Sequence, residues 1–456
     1  MDQWLKASLD YIPRWLEFQM RQSEQPGCVI AIAHRGRILL EQAFGYADLR
    51  KGIPLTPRHR FRVASHSKSF TAAGIMKLRE QGRLHLDDRA GQHVAGLHRA
   101  VAQVTIAQLL SHSAGIIRDG TDAGQWMDWR PFRNAAELRT DLAQAPILEA
   151  NTRFKYSNHG FGLLGLIIEA LTGQPYTTWI KREIVAAAGL EETWPDMPLP
   201  RGTPVARGHS ALLPLGRRLV IPGDNPTRGL AAATGFVSTA ADLVRFFAQL
   251  SPAARRSVVS VESRREMTRR HWRLPHSAVD REYGLGISSG RIGDWEYFGH
   301  GGGFQGFITR TSVLPAQDLT LAVLTNAIDG QAHPWLEGAV HILRCFAKRG
   351  APSRRLRDWT GRWWNLWGVS DLVPVGDRVL VANPEAGDPF ADASEIEVQG
   401  RDQGRIALAN GFASHGEQVR LHRNKKGAVT EVELAGSRLL PEAKLAAEMQ
   451  VRYGQR

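Results

Sequence analysis

The sequence predicts an α+β protein: an antiparallel sheet built from the two ends of a long segment, with a helical insertion between them, followed by a small β-barrel. Three observations predict it. Strand-like runs stand early, at 29–34 and 38–46, and return at 295–298, 307–314 and 319–326. The chain between them carries helical periodicity and many Gly and Pro turns. Composition then shifts at 349–357, a basic, polar stretch with Gly350 and Pro352. Beyond Trp359, short strand-like runs recur at 378–382, 405–409, 418–422 and 430–435, as a small barrel requires. The expected domains are therefore 1–350 and 351–456.

Taken in order, residues 1–22 mix charged and apolar residues at helical spacing and predict an amphipathic helix packed on the first domain. They lack the unbroken apolar core and small-residue cleavage site of a secretory signal. No run of about 18 apolar residues occurs either, so a cytoplasmic chain with no membrane insertion is expected. Arg35, Gly36 and Arg37 turn the first hairpin, and 315–318 joins the last two strands of the domain. A helix over 334–348 follows, with Leu336, Val340, Leu343 and Ala347 on one face. Trp359, Trp363, Trp364 and Trp367 open the barrel, either as an aromatic plug or as a substrate contact.

Composition excludes several classes of function. The two cysteines of the 456 residues, Cys28 and Cys345, sit in apolar runs, so buried free thiols are expected and no metal spacing or disulfide framework is readable. The net charge is +13, yet the excess is arginine spread along the chain. No nucleic-acid motif accompanies it, so no nucleic-acid partner is expected.

Three short motifs carry chemistry. The string ASHSKSF at 64–70 precedes a helical run at 70–83. This puts Ser65 at a helix N-terminus and Lys68 one turn on, along the same face. A serine hydroxyl needs an adjacent base, and a lysine serves only if burial or nearby positive charge lowers its pKa. Alone, the pattern is cheap and reads more readily as a helix cap beside a solvated lysine. The string FKYSNHG at 154–160 puts the phenol of Tyr156 and the amide of Asn158 on a turn before an apolar helix at 161–171. The phenol can relay a proton, and the amide can bind a substrate carbonyl or fix the lysine. A capped helix with a packed tyrosine would look the same. The string GHGGGF at 299–304 follows a strand. Its glycines let a substrate backbone lie close and leave an N–H for an oxyanion; a simple glycine-rich turn is the alternative. The match of Gly301, Gly303 and Gly306 to a dinucleotide fingerprint fails, because a strand and not a helix follows.

As an ordered set, S-x-x-K at 65, Y-x-N at 156 and His-Gly-Gly at 300 resemble the motifs of class C β-lactamases, DD-peptidases and their relatives. LLSHSAGI at 109–116 and GLAAATGFVSTAAD at 229–242 resemble two further segments of that family. The resemblance spans about 20–348 and implies a β-lactamase-like fold, and it likens the barrel to the lipocalin-like domain appended to some relatives. It implies an acyl-enzyme on Ser65, Lys68 as base and Tyr156 as proton donor to the leaving group. Asn158 would bind substrate amide or carbonyl. Gly301, Gly302 and Gly303 would line the substrate strand, with an N–H, that of Gly303, in the oxyanion hole. His300 would stand where lactamases have a lysine, and histidine is largely neutral at pH 7. That departure is similar to D-aminopeptidases, esterases and penicillin-binding-protein-type thioesterases. The expectation is a serine hydrolase or acyltransferase acting on a peptide amide, D-residues included, or an ester. The alternatives are a peptide-cyclising or peptide-releasing thioesterase, a β-lactamase and a non-catalytic penicillin-binding-like module. No cofactor and no metal are expected, since nucleophile, base and oxyanion donors are all protein groups. Trp126, Trp129 and Phe132 either line an apolar acyl pocket or pack beneath a lid.

Overall fold

The structure, a computed structural model, describes residues 1–274, 281–410 and 413–454. Two compact units divide the chain: Gln25–Leu336, and Met1–Glu24 together with Glu337–Arg456. The first helix, α1 (Gln3–Gln22), thus groups with the barrel and not with the segment that follows it, and the boundary falls inside the long helix Ala332–Arg349.

The larger unit is organised by a nine-stranded antiparallel sheet. Its strands are β1 (Gly27–His34), β2 (Arg37–Asp48), β3 (Ile53–Pro54), β4 (Trp272–Arg273), β5 (Arg281–Tyr283), β6 (Ser288–Ile292), β7 (Trp295–Phe304), β8 (Phe307–Leu314) and β9 (Leu319–Thr325). They lie in the order β3-β2-β1-β9-β8-β7-β6-β5-β4. The continuous apolar run of β1 is buried at seven of eight positions, as a strand covered on both faces must be. It pairs with β9 in the register Ile30↔Val323, so the first and last segments of the unit meet at the sheet centre, as expected.

The insertion contributes α2 (Ser67–Glu80), α3 (Asn158–Thr172) and α4 (Ala240–Gln249). Each start follows from a local signal. The Ser157 hydroxyl accepts the Gly160 N–H at 2.9 Å and caps α3, while Thr239 caps α4 through the Asp242 N–H at 3.3 Å. Gly173, with φ +67°, ends α3 in the left-handed conformation that glycine adopts without strain. The three helices and one face of the sheet share a core that includes Phe70, Leu109, Phe161, Phe236, Phe247 and Leu324.

Of the two readings open for 300–303, a strand that receives substrate and a glycine-rich turn, the strand holds: the segment continues β7, and the turn is Gln305–Gly306 with Gly306 at φ +80°. Close packing overrides the low strand preference of glycine. A Cβ on Gly302 would stand 2.6 Å from Thr309 Oγ1 and 2.9 Å from the carbonyl carbon of Val63.

In the second unit, eight strands pair antiparallel in sequence order, from Gly361–Asn365 to Ser437–Leu439. Two hydrogen bonds between Trp364 and Leu440, at 2.8 and 2.7 Å, bring the ends together into a nearly closed barrel. Trp359 and Trp363 lie in its core with Val379, Ile396 and Val432, whereas Trp367 is exposed. The unit also holds α1. Tyr11 donates to Asp371 at 3.0 Å, Trp15 Nε1 to the Ala386 carbonyl at 3.3 Å and Gln19 to the Pro384 carbonyl at 2.6 Å. Cys28 is buried as expected; Cys345 is only half-buried, on the flank of its helix.

Candidate active site

Ser65 lies in a short helical turn, Ala64–His66, that runs into α2. Ala64 before it is held at φ +46°, a conformation costly for a residue with a Cβ. The turn is pinned from inside: the Ser67 hydroxyl donates to the Ala64 carbonyl at 2.5 Å and accepts the Phe236 N–H at 3.0 Å. Ser65 remains half-buried, and Lys68 one turn later is fully buried.

Lys68 Nζ has three neighbours at hydrogen-bond distance: Asn158 Oδ1 at 2.8 Å, the Ala233 carbonyl at 2.8 Å and Ser65 Oγ at 3.2 Å. The Asn158 amide is oriented by Asp119, whose Oδ1 accepts the Asn158 Nδ2–H at 2.7 Å. A carboxylate accepts only, so Asn158 must turn its oxygen to Lys68. That oxygen and the Ala233 carbonyl also only accept, which commits two of the amine's hydrogens. The remaining position faces Ser65, and in a neutral amine it is the lone pair. Burial pushes the Lys68 pKa well below its usual value, with Asp119 opposing and Arg118 reinforcing the shift. The Tyr156 hydroxyl donates to Ser65 Oγ at 2.7 Å, and burial pushes the phenol up, so it stays a donor.

His300 is placed beside this set without a hydrogen bond to it among the described residues. Its Nδ1 lies 2.7 Å from the Gly301 carbonyl, which only accepts, so Nδ1 carries the proton. Nε2 then accepts from the Tyr283 hydroxyl at 2.9 Å. Burial, with His66 and Lys68 nearby, holds the pKa of this imidazole well below its usual value, and the ring is neutral at pH 7.

Strand β7 brings the glycines to Ser65. Gly302 lies against the Val63 carbonyl, two residues before Ser65. The partner β6 reaches only as far as Gly299, opposite Ser288. From His300 to Phe304 the strand pairs with β8 alone among the described residues. The Gly299 carbonyl accepts the Ser288 hydroxyl at 3.0 Å and so points away from β8. By the alternation of an antiparallel strand, the backbone groups of Gly301 and Gly303 point the same way. Gly303 is exposed.

All eight residues singled out from the sequence therefore fall in one region: Ser65, Lys68, Tyr156 and Asn158 as a bonded cluster, His300 and Gly301 to Gly303 on the adjoining strand. Sequence reasoning missed Asp119, the Ala233 carbonyl and Tyr283. Ala233 lay within the recognised string at 229–242, but nothing local marked Asp119 or Tyr283. Of the three aromatics on the 119–132 loop, Phe132 is buried and stacks on Phe304 at 5.7 Å. Trp126 packs edge-on against Phe132 at 5.2 Å, and Trp129 is exposed.

The family model for Beta-lactamase matches residues 12–334. The chain belongs to the β-lactamase family. Together with the penicillin-binding proteins, this is a family of serine hydrolases. Penicillin-binding protein 4* of Bacillus subtilis (strain 168) is 34% identical over 174 residues, 37% of this chain and 37% of that protein. The chain spans little more than a third of the curated relatives it matches. An octameric penicillin-binding protein homologue from Pyrococcus abyssi superposes with a TM-score of 0.67 at 23% identity, over 95% of this chain and 99% of the other. A D-stereospecific amidohydrolase from Streptomyces superposes with a TM-score of 0.62 at 25% identity, over 72% of this chain and 97% of the other. The expected β-lactamase-like fold and family are thus found. Among the described residues no helix is long and apolar enough to cross a membrane.

Proposed function

We propose that the protein is a serine hydrolase or acyltransferase that forms an acyl-enzyme on Ser65 from a peptide amide or an ester. The observation that carries this is the arrangement at Lys68: a fully buried amine with two hydrogens committed to Asn158 and Ala233 and its third position facing Ser65 Oγ.

In acylation the Ser65 proton passes to Lys68 Nζ while Oγ bonds to the substrate carbonyl carbon. The oxyanion is met by the backbone N–H groups of Ser65 and Gly303. Tyr156 hands its proton to the departing amine or alkoxide as the C–N or C–O bond breaks, and Lys68 returns a proton to the phenolate. Water or an incoming amine then attacks the ester, with the same groups acting in reverse, and frees Ser65.

The neutral state of His300 shapes the substrate class. A fixed cation at this position would hold a substrate carboxylate; a neutral ring donating to Gly301 and accepting from Tyr283 offers none. This favours substrates that are neutral next to the scissile bond, an amide or ester, over a carboxylate-bearing β-lactam or C-terminal D-residue. Preference for a D-residue on the acyl side is supported by the likeness to the D-stereospecific amidohydrolase.

The test is intact-mass spectrometry after incubation with p-nitrophenyl butyrate, a D-alanine p-nitroanilide, a D-residue-ended peptide thioester and penicillin G. A mass increment on Ser65, absent in Ser65→Ala, is expected, with the ester or anilide labelling faster than penicillin G. Turnover retained by Ser65→Ala would end this reading. Fastest labelling by the thioester would move it to a peptide-releasing or peptide-cyclising enzyme.

A further inference from the structure

His112 lies outside the Ser65, Lys68 and Tyr156 set, yet it holds three consecutive residues of the tyrosine segment. Its carbonyl accepts the Lys155 N–H at 2.7 Å. Its Nδ1 accepts the Ser157 N–H at 3.2 Å. Between these two anchors its ring lies on the Tyr156 ring, with centroids 4.2 Å apart and planes 36° from parallel. To reach all three, the backbone of His112 takes φ +58°, a conformation that disfavours any residue with a Cβ. Strain of this kind persists only where surrounding contacts over-determine it.

We propose that His112 is the positioning residue of Tyr156: it sets the phenol at hydrogen-bond distance from Ser65 Oγ. This rests on the reading of Ser65 as nucleophile and names how its proton donor is held. Among the described residues the Tyr156 hydroxyl has one hydrogen bond, to Ser65. Its direction must therefore be imposed through its ring and its backbone neighbours, and His112 grips both. The imidazole is itself caged, with the rings of Phe161, Tyr283 and Phe154 at 5.1, 4.9 and 5.6 Å. Because Nδ1 accepts, the ring proton is on Nε2 and the imidazole is neutral. Burial, with Lys68 the next cause, keeps its pKa well below the usual value. Tyr156 is thus clamped by a side chain that brings no second cation to Lys68.

Two substitutions divide the grip. His112→Asn retains an acceptor for the Ser157 N–H and tolerates the left-handed backbone, but removes the ring. His112→Phe retains a ring and removes the acceptor. Each is measured for the pre-steady-state acylation rate with p-nitrophenyl butyrate and for KM, alone and combined with Tyr156→Phe. Rates are expressed per Ser65 titrated to completion with a fluorophosphonate, so a poorly folding variant still reports. Each single variant should acylate about 10- to 100-fold more slowly, with KM within about threefold of wild type. On the Tyr156→Phe background the same change should cost less than about twofold, because a missing hydroxyl cannot be misplaced.

The proposal is overturned if both variants acylate within about threefold of wild type per titrated Ser65, or if the His112 and Tyr156 losses multiply. Its failure is separable from that of the serine reading. If Ser65→Ala is inactive and unlabelled while the His112 variants are normal, only the positioning role falls; if Ser65→Ala still turns over, the nucleophile itself is wrong.

Discussion

Replacing Gly302 by alanine drives a methyl group toward the turn that carries Ser65. The new carbon would stand 2.6 Å from Thr309 Oγ1 and 2.9 Å from the carbonyl carbon of Val63, with the Val63 oxygen nearer still. Non-bonded carbons rest about 3.5–4.0 Å from their neighbours, so strand and turn must part by about 1 Å. Overpacking of this sort costs about 1–3 kcal/mol of stability. Its effect on rate is larger, because a displacement of about 1 Å between nucleophile and oxyanion donors costs on the order of 100-fold. The assay is the rate of fluorophosphonate labelling at Ser65, with the thermal midpoint measured alongside. Gly303→Ala serves as the stability control: a Cβ there meets only Ile308 Cδ1, at 3.6 Å, an ordinary contact. Gly302→Ala is expected to label about 100-fold more slowly and to melt a few degrees lower, whereas Gly303→Ala keeps the wild-type midpoint. Labelling of Gly302→Ala within threefold of wild type would refute the argument that this glycine lets β7 seat against the nucleophile turn.

Further outcomes follow from other groups. Lys68→Arg keeps donors for Asn158 and Ala233 but cannot take a proton, so acylation should fall by about 10²–10⁴-fold; single-turnover rates check this. Because burial depresses Lys68 from 10.5 and raises Tyr156 above 10.0, kcat/KM should climb along one acid limb as Lys68 loses its proton, then stay level into alkaline solution. The same group enters stability with a definite sign. Between its depressed value and 10.5 the unfolded chain binds a proton that the folded chain does not, so its contribution improves as pH rises through that window, as urea titrations at several pH values would read. In the barrel unit Asp371 is 1% exposed, accepts from Arg362 Nε and Nη2 at 2.8 Å each and accepts from Tyr11. Asp371→Ala should cost about 3 kcal/mol in urea unfolding, the low end of the range for a broken buried pair because Arg362 keeps some contact with water. Trp359, fully buried and donating to the Arg401 carbonyl at 3.2 Å, should cost about 3–5 kcal/mol when cut to alanine.

What the sequence made legible was local in character. Ser65 and Lys68, three apart, share a face as soon as their helical turn forms, and Tyr156 and Asn158, two apart, point the same way across the extended Ser157. The central strand β1 was readable because a strand covered on both sides needs an unbroken apolar run. Asp119 left no such trace: its partner Asn158 lies 39 residues away, and an acid beside Arg118 looks like any surface pair. The glycines of β7 left strand and turn both open for a related reason. Their strand state comes from Val63 and Thr309 packing against Gly302, contacts between distant stretches of chain that a local strand preference does not contain. The helix α1 showed its apolar face but not its destination, because a stripe of leucine and tryptophan does not name what it covers. Tyr11 and Gln19 find their partners at Asp371 and Pro384, more than 350 residues on.

The two large sheets of this chain treat their borders in opposite ways, and the difference has a consequence for selectivity. The barrel seals itself where Trp364 meets Leu440 and offers a passing chain no place to add. Among the described residues the larger sheet pairs the stretch His300–Phe304 on one side only, and an unpaired border is adhesive to an extended polypeptide. A substrate laid along it would be held by its own main chain, with successive side chains turned to opposite sides. Grip of that kind is indifferent to most of the substrate's side-chain identities. Discrimination would then rest on handedness at the residue beside the scissile bond, where a D- and an L-residue send their side chains to opposite walls.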